Sequence, residues 1–397
     1  MNGRQLRTTF GIAAAAVVAA VGPGAVAAAG QVRPLTTVTW HVQTSPNTSN
    51  TNRRDELFHV ACPTATVCVA VGETSDKQFN NPSALVERWN GTKWTIQTTA
   101  AVAGNPHTEL FNVACSSASA CTAVGDSTTA TTTRALVERW NGAKWSVQST
   151  PTPSSGKASL YGAACVSATS CYAVGDSLAK NGNPPLIEHW NGKVWSIQTV
   201  PHPANVPYTF YVIACRSNTD CTAGGEIDST GGAGTTLMMH WNGSKWALEA
   251  TPATPGQSAF IADVRCPSTT QCLAAADTYT PAGDGAITDV SGVAEEWNGH
   301  TWTMVPTAAL ASGATDQFEG VACPAVSKCL IVGAEVNTDE SPLAEHWNGT
   351  TFTMDTTQAV GQAGFFNSVN CNGASCVAVG DYFGTNGLDR TLVERTS

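Results

Sequence analysis

The chain has 397 residues and a formal net charge of −10, with only 13% of its residues charged. An acidic chain of this kind lacks the basic surface that nucleic acid demands. Many Gly, Ser, Thr and Asn residues with so few charges suit strands and turns rather than solvated helices, so an all-β fold is expected.

The amino terminus comes first. Arg4 and Arg7 precede an apolar run from Ile12 to Val21, and small residues follow through Ala29. This is the pattern of a secretory signal, expected at 1–29 and removed near Ala27 to Ala29. The apolar run is too short to cross about 30 Å of hydrocarbon. A short linker (30–35) then leads into a released, monomeric mature chain (36–397) that has no membrane span and is two charges more acidic.

The stretch "VTWHVQTSP", Val38 to Pro46, looks like the second half of a unit whose first half is missing. Units follow, starting near residues 57, 110, 160, 210, 260, 318 and 365. In the first, strands a to d are expected at Leu57–Cys62, Val67–Gly72, Ala84–Trp89 and Lys93–Thr98. Its second half, "ERWNGTKWTIQ" from Glu87, recurs from Glu138, Glu188, Met239, Glu295 and Glu345. Asn90-Gly91 predicts a two-residue type I′ turn between c and d. That turn would set Trp89 opposite Thr92 and make Trp94 its diagonal neighbour. The last unit ends in "LVERTS", just where "WNG" would follow. A repeat split between the two ends makes sense only if the chain closes on itself. The expected fold is a seven-bladed β-propeller of four-stranded antiparallel blades, closed by the N-terminal strand pairing with the C-terminal blade.

All fourteen cysteines fall in the repeat, two to a unit: Cys62 with Cys68, Cys115 with Cys121, Cys165 with Cys171, Cys215 with Cys221, Cys266 with Cys272, Cys323 with Cys329, and Cys371 with Cys376. In an exported chain they read as local disulfides, each closing a short loop for roughly 2 kcal/mol. A zinc site would need pairs from different units to converge, so no metal or other cofactor is expected.

The pattern "C-x5-C-x-A-V-G … E-x-W-N-G-x-x-W" resembles the secreted repeat proteins of actinobacteria. Its architecture is similar to that of seven-bladed propellers that close with a split blade. The resemblance covers Val38 to Ser397 and implies a fold but no activity. Trp-Asp strand endings, regular kelch Gly-Gly pairs and sialidase Asp-boxes are absent from the sequence.

Function has to be sought where the repeat breaks. The twelve tryptophans occupy two repeated positions and read as blade-to-blade packing, the alternative being a multivalent ring of aromatic sites. Glu73, Asp126, Asp176, Glu226, Asp277 and Asp381, after strand b, read as turn formers; as a functional set they would form an acidic crown for a cation or a basic partner. Glu87, Glu138, Glu188, Glu295, Glu345 and Glu394 read as hydrogen-bonding groups toward a neighbouring blade, since six equivalent acids do not make a glycosidase pair. His189, His240 and His346 read as surface of strand c, and His41, His59, His107, His202 and His300 show no metal-ligand spacing. The sequons at Asn90, Asn242 and Asn348 read as turns.

The b-to-c and d-to-a loops are long and variable, and they emerge together on one face. Phe79, Tyr208, Tyr279, Tyr382 and Phe383 stand in or beside them as candidate contacts, with Asp284 and Asp289 as the best unique acidic pair in the longest loop. The leading expectation is a secreted, non-enzymatic module that contacts a protein or glycan of the cell envelope through this face, with no catalytic residue assigned. An extracellular lyase or glycoside hydrolase at the mouth of the central channel, and a purely structural envelope protein, remain open beside it.

Overall fold

The computed structural model describes residues 38–396 apart from 50, 105, 180–183, 203–205, 228–233, 282–286, 311–312, 338 and 359. The expected signal and linker lie outside these residues. Seven four-stranded antiparallel sheets stand in a ring. Strands a to d of blade 1 are Arg53–Thr64, Val67–Asp76, Ser83–Trp89 and Trp94–Ile96. Blades 2 to 6 repeat this order from His107 to Val147, Ser159 to Ile197, Tyr208 to Glu249, Ser258 to Val305 and Thr315 to Met354. Blade 7 takes a, b and c from Gly364–Asn372, Ser375–Phe383 and Asp389–Thr396, and d from Trp40–Val42. Trp40 pairs with Thr396 and Val42 with Glu394, so the ring closes as the split repeat requires. The seam is held by side chains as well. Trp40 is fully buried and its indole N–H donates to Asp355 of blade 6 at 2.9 Å. Asn367 Nδ2 of blade 7 donates to the Leu57 carbonyl of blade 1 at 2.8 Å.

The apolar cores lie between blades. One joins Leu57, Val60, Trp89 and Trp94 with Val377, Val379 and Val393 of blade 7, and the next joins Val69, Val71 and Val86 with Leu110, Trp140 and Trp145 of blade 2. Strand-b alanines such as Ala70, Ala123, Ala173 and Ala223 are fully buried. The tryptophans fill the wedge that widens with radius. Trp94, Trp145, Trp195, Trp246 and Trp302 are all buried, and Trp94 and Trp302 donate to Gln43 (3.1 Å) and Glu249 (2.8 Å) of the preceding blade. The Arg88 guanidinium lies 5.4 Å over the Trp140 ring of the next blade.

Two local expectations are corrected. Trp89 pairs directly with Trp94, ring centres 5.9 Å apart, rather than diagonally. The c-to-d connection has four residues: Gly91 takes φ +95° while Asn90 keeps a negative φ, and Asn90 Oδ1 accepts the N–H groups of Thr92 and Lys93 at 3.0 Å each. The side-chain cap lets the longer connection set the two rings opposite each other, tilted by 43°.

Strands a and b also run further than expected, so Glu73, Asp126, Asp176, Glu226, Asp277 and Asp381 stand within strand b rather than in turns. Several of them take donors from the next blade, which extends the pairing past them. Ser159 Oγ donates to Asp126 (2.8 Å), Thr209 Oγ1 to Asp176 (3.3 Å) and the Phe318 N–H to Asp277 (3.0 Å).

The strand-c glutamates are buried between blades, as their repetition suggested. Four accept a hydrogen bond from the segment that follows the preceding blade: Glu87 from Ser45 Oγ (2.5 Å), Glu138 from the Ala100 N–H (2.9 Å), Glu345 from the Ala308 N–H (2.9 Å) and Glu394 from the Gln358 N–H (3.3 Å). Burial raises their pKa to about 8 for Glu87, Glu188 and Glu295 and to about 7 for Glu138, Glu345 and Glu394.

The seven expected disulfides are formed, each joining the end of strand a to the start of strand b within one blade. Cys62 is bonded to Cys68, Cys115 to Cys121, Cys165 to Cys171 and Cys215 to Cys221. Cys266 is bonded to Cys272, Cys323 to Cys329, and Cys371 to Cys376. The second cysteine of a pair stands on strand b opposite the first Trp position of strand c, as Cys68 does opposite Trp89 and Cys121 opposite Trp140. Cys68, Cys121, Cys171, Cys221, Cys272, Cys329 and Cys376 are accordingly all buried, and they serve the packing of their blade as well as the cross-link. No cysteine among the described residues is free. Among the described residues no helix is long and apolar enough to cross a membrane.

Candidate functional site: the central channel

Each strand a packs against strand a of the next blade, and that of blade 7 against that of blade 1, so these strands surround the axis. Every one of them carries a β-bulge, between Leu57 and His59 in blade 1 and at the matching place in the others. A bulge adds a residue that the partner strand does not match, and re-aims its side chain. Here the added residues are Phe58, Phe111, Tyr161, Tyr211, Ala262, Glu319 and Asn367, all half-buried. The "AVG" glycine of the repeat faces this bulge. A Cβ on Gly72 would lie 1.9 Å from the Glu56 carbonyl oxygen, and one on Gly125 2.0 Å from that of Glu109. Blade 5 has Ala276 in that place, paired with Ile261. Its aromatic neighbour in the ring is Phe260, two residues before Ala262.

The aromatic side chains form a continuous arc. Ring centres are 6.2 Å apart for Phe58 and Phe111, 5.6 Å for Phe111 and Tyr161, 5.9 Å for Tyr161 and Tyr211, and 5.9 Å for Tyr211 and Phe260. Tyr279 continues it, 6.3 Å from Phe260. Burial pushes the phenols of Tyr161 and Tyr211 well upward, with Asp176 adding to Tyr161 and Glu226 to Tyr211. Both nonetheless keep some accessible surface, as side chains lining an interior channel do. Behind the arc stand carboxylates. Glu226 accepts from the Tyr279 hydroxyl at 2.7 Å and from the Tyr211 hydroxyl at 3.4 Å. In blades 1 and 2 acids face each other directly across strands a and b, Glu56 opposite Glu73 and Glu109 opposite Asp126. The rest of the ring, at blades 5 to 7, is Ala262, Glu319 and Asn367, so the lining is polarised around the axis.

One contact crosses the channel. Arg265 of blade 5 brings Nη2 within 3.4 Å of His59 Nε2 in blade 1. Blades 1 and 5 are not neighbours, so these side chains can meet only near the axis. Arg265 is paired with Asp263, whose other oxygen accepts the Val321 N–H of blade 6 at 2.9 Å. Burial and the Arg265 charge lower the His59 pKa to about 3, so its ring is neutral. Counted along strand a, His59 and Arg265 lie one to three residues past the bulge, toward the short-turn face. They therefore bridge the channel beneath the aromatic arc.

The residues expected from the sequence are distributed unevenly. Tyr279 joins the arc. Phe79 and Phe383 are brought together on the seam side of the mouth, with the Arg54 guanidinium 4.1 Å from the Phe79 ring and 6.0 Å from that of Phe383. Arg54 is itself held by Asp389. Phe79 is 38% exposed and adopts φ +60°. Tyr382 is half-buried and packs at the edge of the core between blades 6 and 7. Tyr208 is not a surface aromatic: it is 3% exposed, in the apolar core between blades 3 and 4, because strand a begins at Tyr208 itself and turns the ring inward. Asp289 is exposed, at φ +53°, and Asp284 lies outside the described residues. Among the described residues no three His, Cys, Asp or Glu side chains are placed to hold a metal ion.

The bulge ring itself escaped the sequence reading, although a signal was there. Four positions before the first cysteine of each pair the residues are Phe, Phe, Tyr, Tyr, Ala, Glu and Asn, while the position before it is always apolar. Arg265 breaks a column that is alanine in five of the other blades.

No family model matches the sequence, and no curated protein does. Solved structures share the architecture. YCF48 bound to a D1 peptide superposes with a TM-score of 0.55 at 12% identity, covering 91% of this chain and 98% of that one. An ulvan lyase of polysaccharide lyase family 25, bound to -[GlcA(1-4)Rha3S]-, gives 0.56 at 9% identity over 86% and 94%. The WD40 propeller of Doa1 gives 0.51 at 10% identity over 90% and 97%. At such identities the likeness is one of fold.

Proposed function

We propose that this protein is a secreted, non-enzymatic binding propeller that engages a protein or glycan of the cell envelope at the channel mouth on its long-loop face. The observation that carries this reading is the loss of sevenfold regularity at the bulge. Residues that pack one blade on the next recur around the ring, whereas the inward residues change from an aromatic arc to Ala262, Glu319 and Asn367. A packing role would favour one residue type at all seven places; recognition of a ligand lying across the axis would not. Export is supported by the disulfides, which persist in oxidising compartments. A peptide-bound and a saccharide-bound propeller of similar shape support the range of partners.

The test is capture of cell-wall polysaccharide and secreted protein by purified chain 36–397. Phe111→Ala combined with Tyr161→Ala should abolish capture. Ile96→Ala, at a 41% exposed side chain on the outer strand, should leave it intact. Capture that follows the outer variant instead, or turnover of a captured polysaccharide, would overturn the reading, the latter in favour of a lyase or hydrolase.

A further inference from the structure

The strand-c carboxyls are not equivalent, and the connection that follows the preceding blade divides them. Six residues past the aromatic that opens strand d, the chain runs beside the glutamate of the next blade. Where that residue has an N–H it donates it: Ala100 to Glu138, Ala308 to Glu345 and Gln358 to Glu394. At the four remaining places it is proline, Pro46, Pro151, Pro201 and Pro252, which has no N–H to give. Pro46 is preceded by Ser45, whose hydroxyl serves Glu87 instead. Opposite Pro201 the acid itself is replaced by Met239. Glu188 and Glu295, facing the connections of Pro151 and Pro252, keep the acid without the donor. Both oxygens of each are buried and accept no hydrogen bond among the described residues.

Their surroundings supply no charge. Glu188 pairs across its sheet with Ala173 and Ile197, and Glu295 with Ala274 and Met304. Burial alone acts on Glu188; the Thr236 hydroxyl lies near Glu295 without completing a hydrogen bond to it, and no charged group bears on either. Thr251, which stands where Ser45 does before Pro46, donates its hydroxyl to the Thr236 carbonyl at 3.2 Å. We infer that the interfaces between blades 2 and 3 and between blades 4 and 5 are pH-sensitive opening points of the ring: as pH rises they open locally ahead of the interfaces whose glutamate accepts an N–H, and free the connections carrying Pro151 and Pro252 on the long-loop face. In the closed interface each acid holds its proton up to about pH 8, whereas in an opened, hydrated one it ionises near 4.5. Opening therefore releases a proton throughout that window, so it is favoured progressively from about pH 4.5 to about 8 and levels off above. Where an N–H supports the closed carboxylate, the window ends near 7 and the gain is smaller. Glu87 also titrates near 8, but its interface carries further bonds between blades 7 and 1, from Asn367 Nδ2 to the Leu57 carbonyl (2.8 Å) and from the Cys62 N–H to Asn370 Oδ1 (3.0 Å).

Hydrogen exchange of chain 36–397, resolved by peptide and corrected for the intrinsic pH dependence of amide exchange, tests this between about pH 6 and 8. Opening should rise about fivefold more at the blade 2–3 and 4–5 interfaces than at the blade 6–7 interface. Pro151→Ala returns the N–H, and should bring the blade 2–3 interface down to the behaviour of blade 6–7 while blade 4–5 keeps its rise. Glu188→Met, the solution blade 4 already uses, should remove the rise at blade 2–3 altogether. An equal rise at all three interfaces would overturn the inference, and so would a Pro151→Ala chain that opens at pH 8 as readily as the parent. Should Glu188→Met fail to fold, Pro151→Ala still decides the matter, because it leaves the carboxyl in place. None of these outcomes depends on what the channel mouth binds.

Discussion

The outer hairpin and the inner strand of each blade have followed different rules. Strands c and d keep their tryptophans, their buried glutamate and their Asn-Gly turn nearly unchanged from blade to blade, because each must fill the same wedge against the same neighbour. The sole glutamate exception is Met239 in blade 4, an apolar residue that also satisfies burial, at 1% exposure. Strand a keeps its backbone device, the bulge with its facing glycine, yet lets the extruded side chain vary. Repetition therefore marks load shared around the ring, and variation at a fixed backbone device marks the place where the ring meets something that lacks sevenfold symmetry.

The severest way to break the outer rule is to remove it from one blade. Deleting residues 36–46 takes away Trp40, the fourth strand of blade 7 and the Gln43 acceptor of Trp94, and uncovers a sheet edge. Cooperative thermal unfolding and soluble yield should both be lost. A deletion variant that unfolds at the wild-type midpoint would show that the seam contributes nothing. Trp94→Ala is milder. It empties a buried site and should cost about 3 to 5 kcal/mol in denaturant unfolding. Phe111→Ala should cost about 1 kcal/mol, since its ring is only half-buried whereas that of Trp94 is buried. Equal costs would erase the distinction between packing and lining.

That distinction also explains what could be read from the chain. Seven blades, the split closure and the cysteine pairs are legible because each is written many times, and repetition averages out local ambiguity. The bulge is not written in any residue. It follows from one extra residue in strand a relative to strand b, which register alone reveals. Phe58 and Phe111 consequently look like ordinary alternating strand residues until the pairing is known. The Arg265–His59 bridge, between residues 206 apart in sequence, depends on ring geometry in the same way. The turn at Asn90-Gly91 failed for a smaller reason: the asparagine side chain competes with the backbone geometry that its neighbour glycine would permit.

A gentler probe of the outer rule is pH. The strand-c carboxyls have folded pKa values near 7 to 8, above the ordinary 4.5. A raised pKa contributes stability that is complete below about 4.5 and lost as pH climbs through about 7 to 8. His59 runs the other way, its depressed value costing stability as pH falls from about 6.5 toward 3. The six glutamates outweigh the one histidine above about pH 4.5, so the melting temperature should fall by several degrees, roughly, as pH rises from about 5 to 8. Glu87→Gln, Glu188→Gln and Glu295→Gln together should flatten the alkaline limb and leave the acid limb in place. A melting temperature that rises between about pH 6 and 9 would contradict the burial of these groups as acids.

The smallest effect is expected where neither rule holds, at the Phe79 loop on the seam side of the mouth. Asp76 organises this loop, its Oδ1 accepting the N–H groups of Gln78 (3.0 Å) and Asn80 (2.7 Å). The loop then holds Phe79 at a positive φ against Arg54. Phe79→Ala loses the cation–π contact, about 0.5 to 1 kcal/mol at an exposed site, and keeps the cost of a Cβ at positive φ. Phe79→Gly loses the same contact but relieves that cost, so it should be the more stable of the two by several tenths of a kcal/mol, roughly. Denaturant midpoints of the two variants separate the terms. If glycine proves less stable than alanine, the left-handed backbone at Phe79 is not a strained conformation.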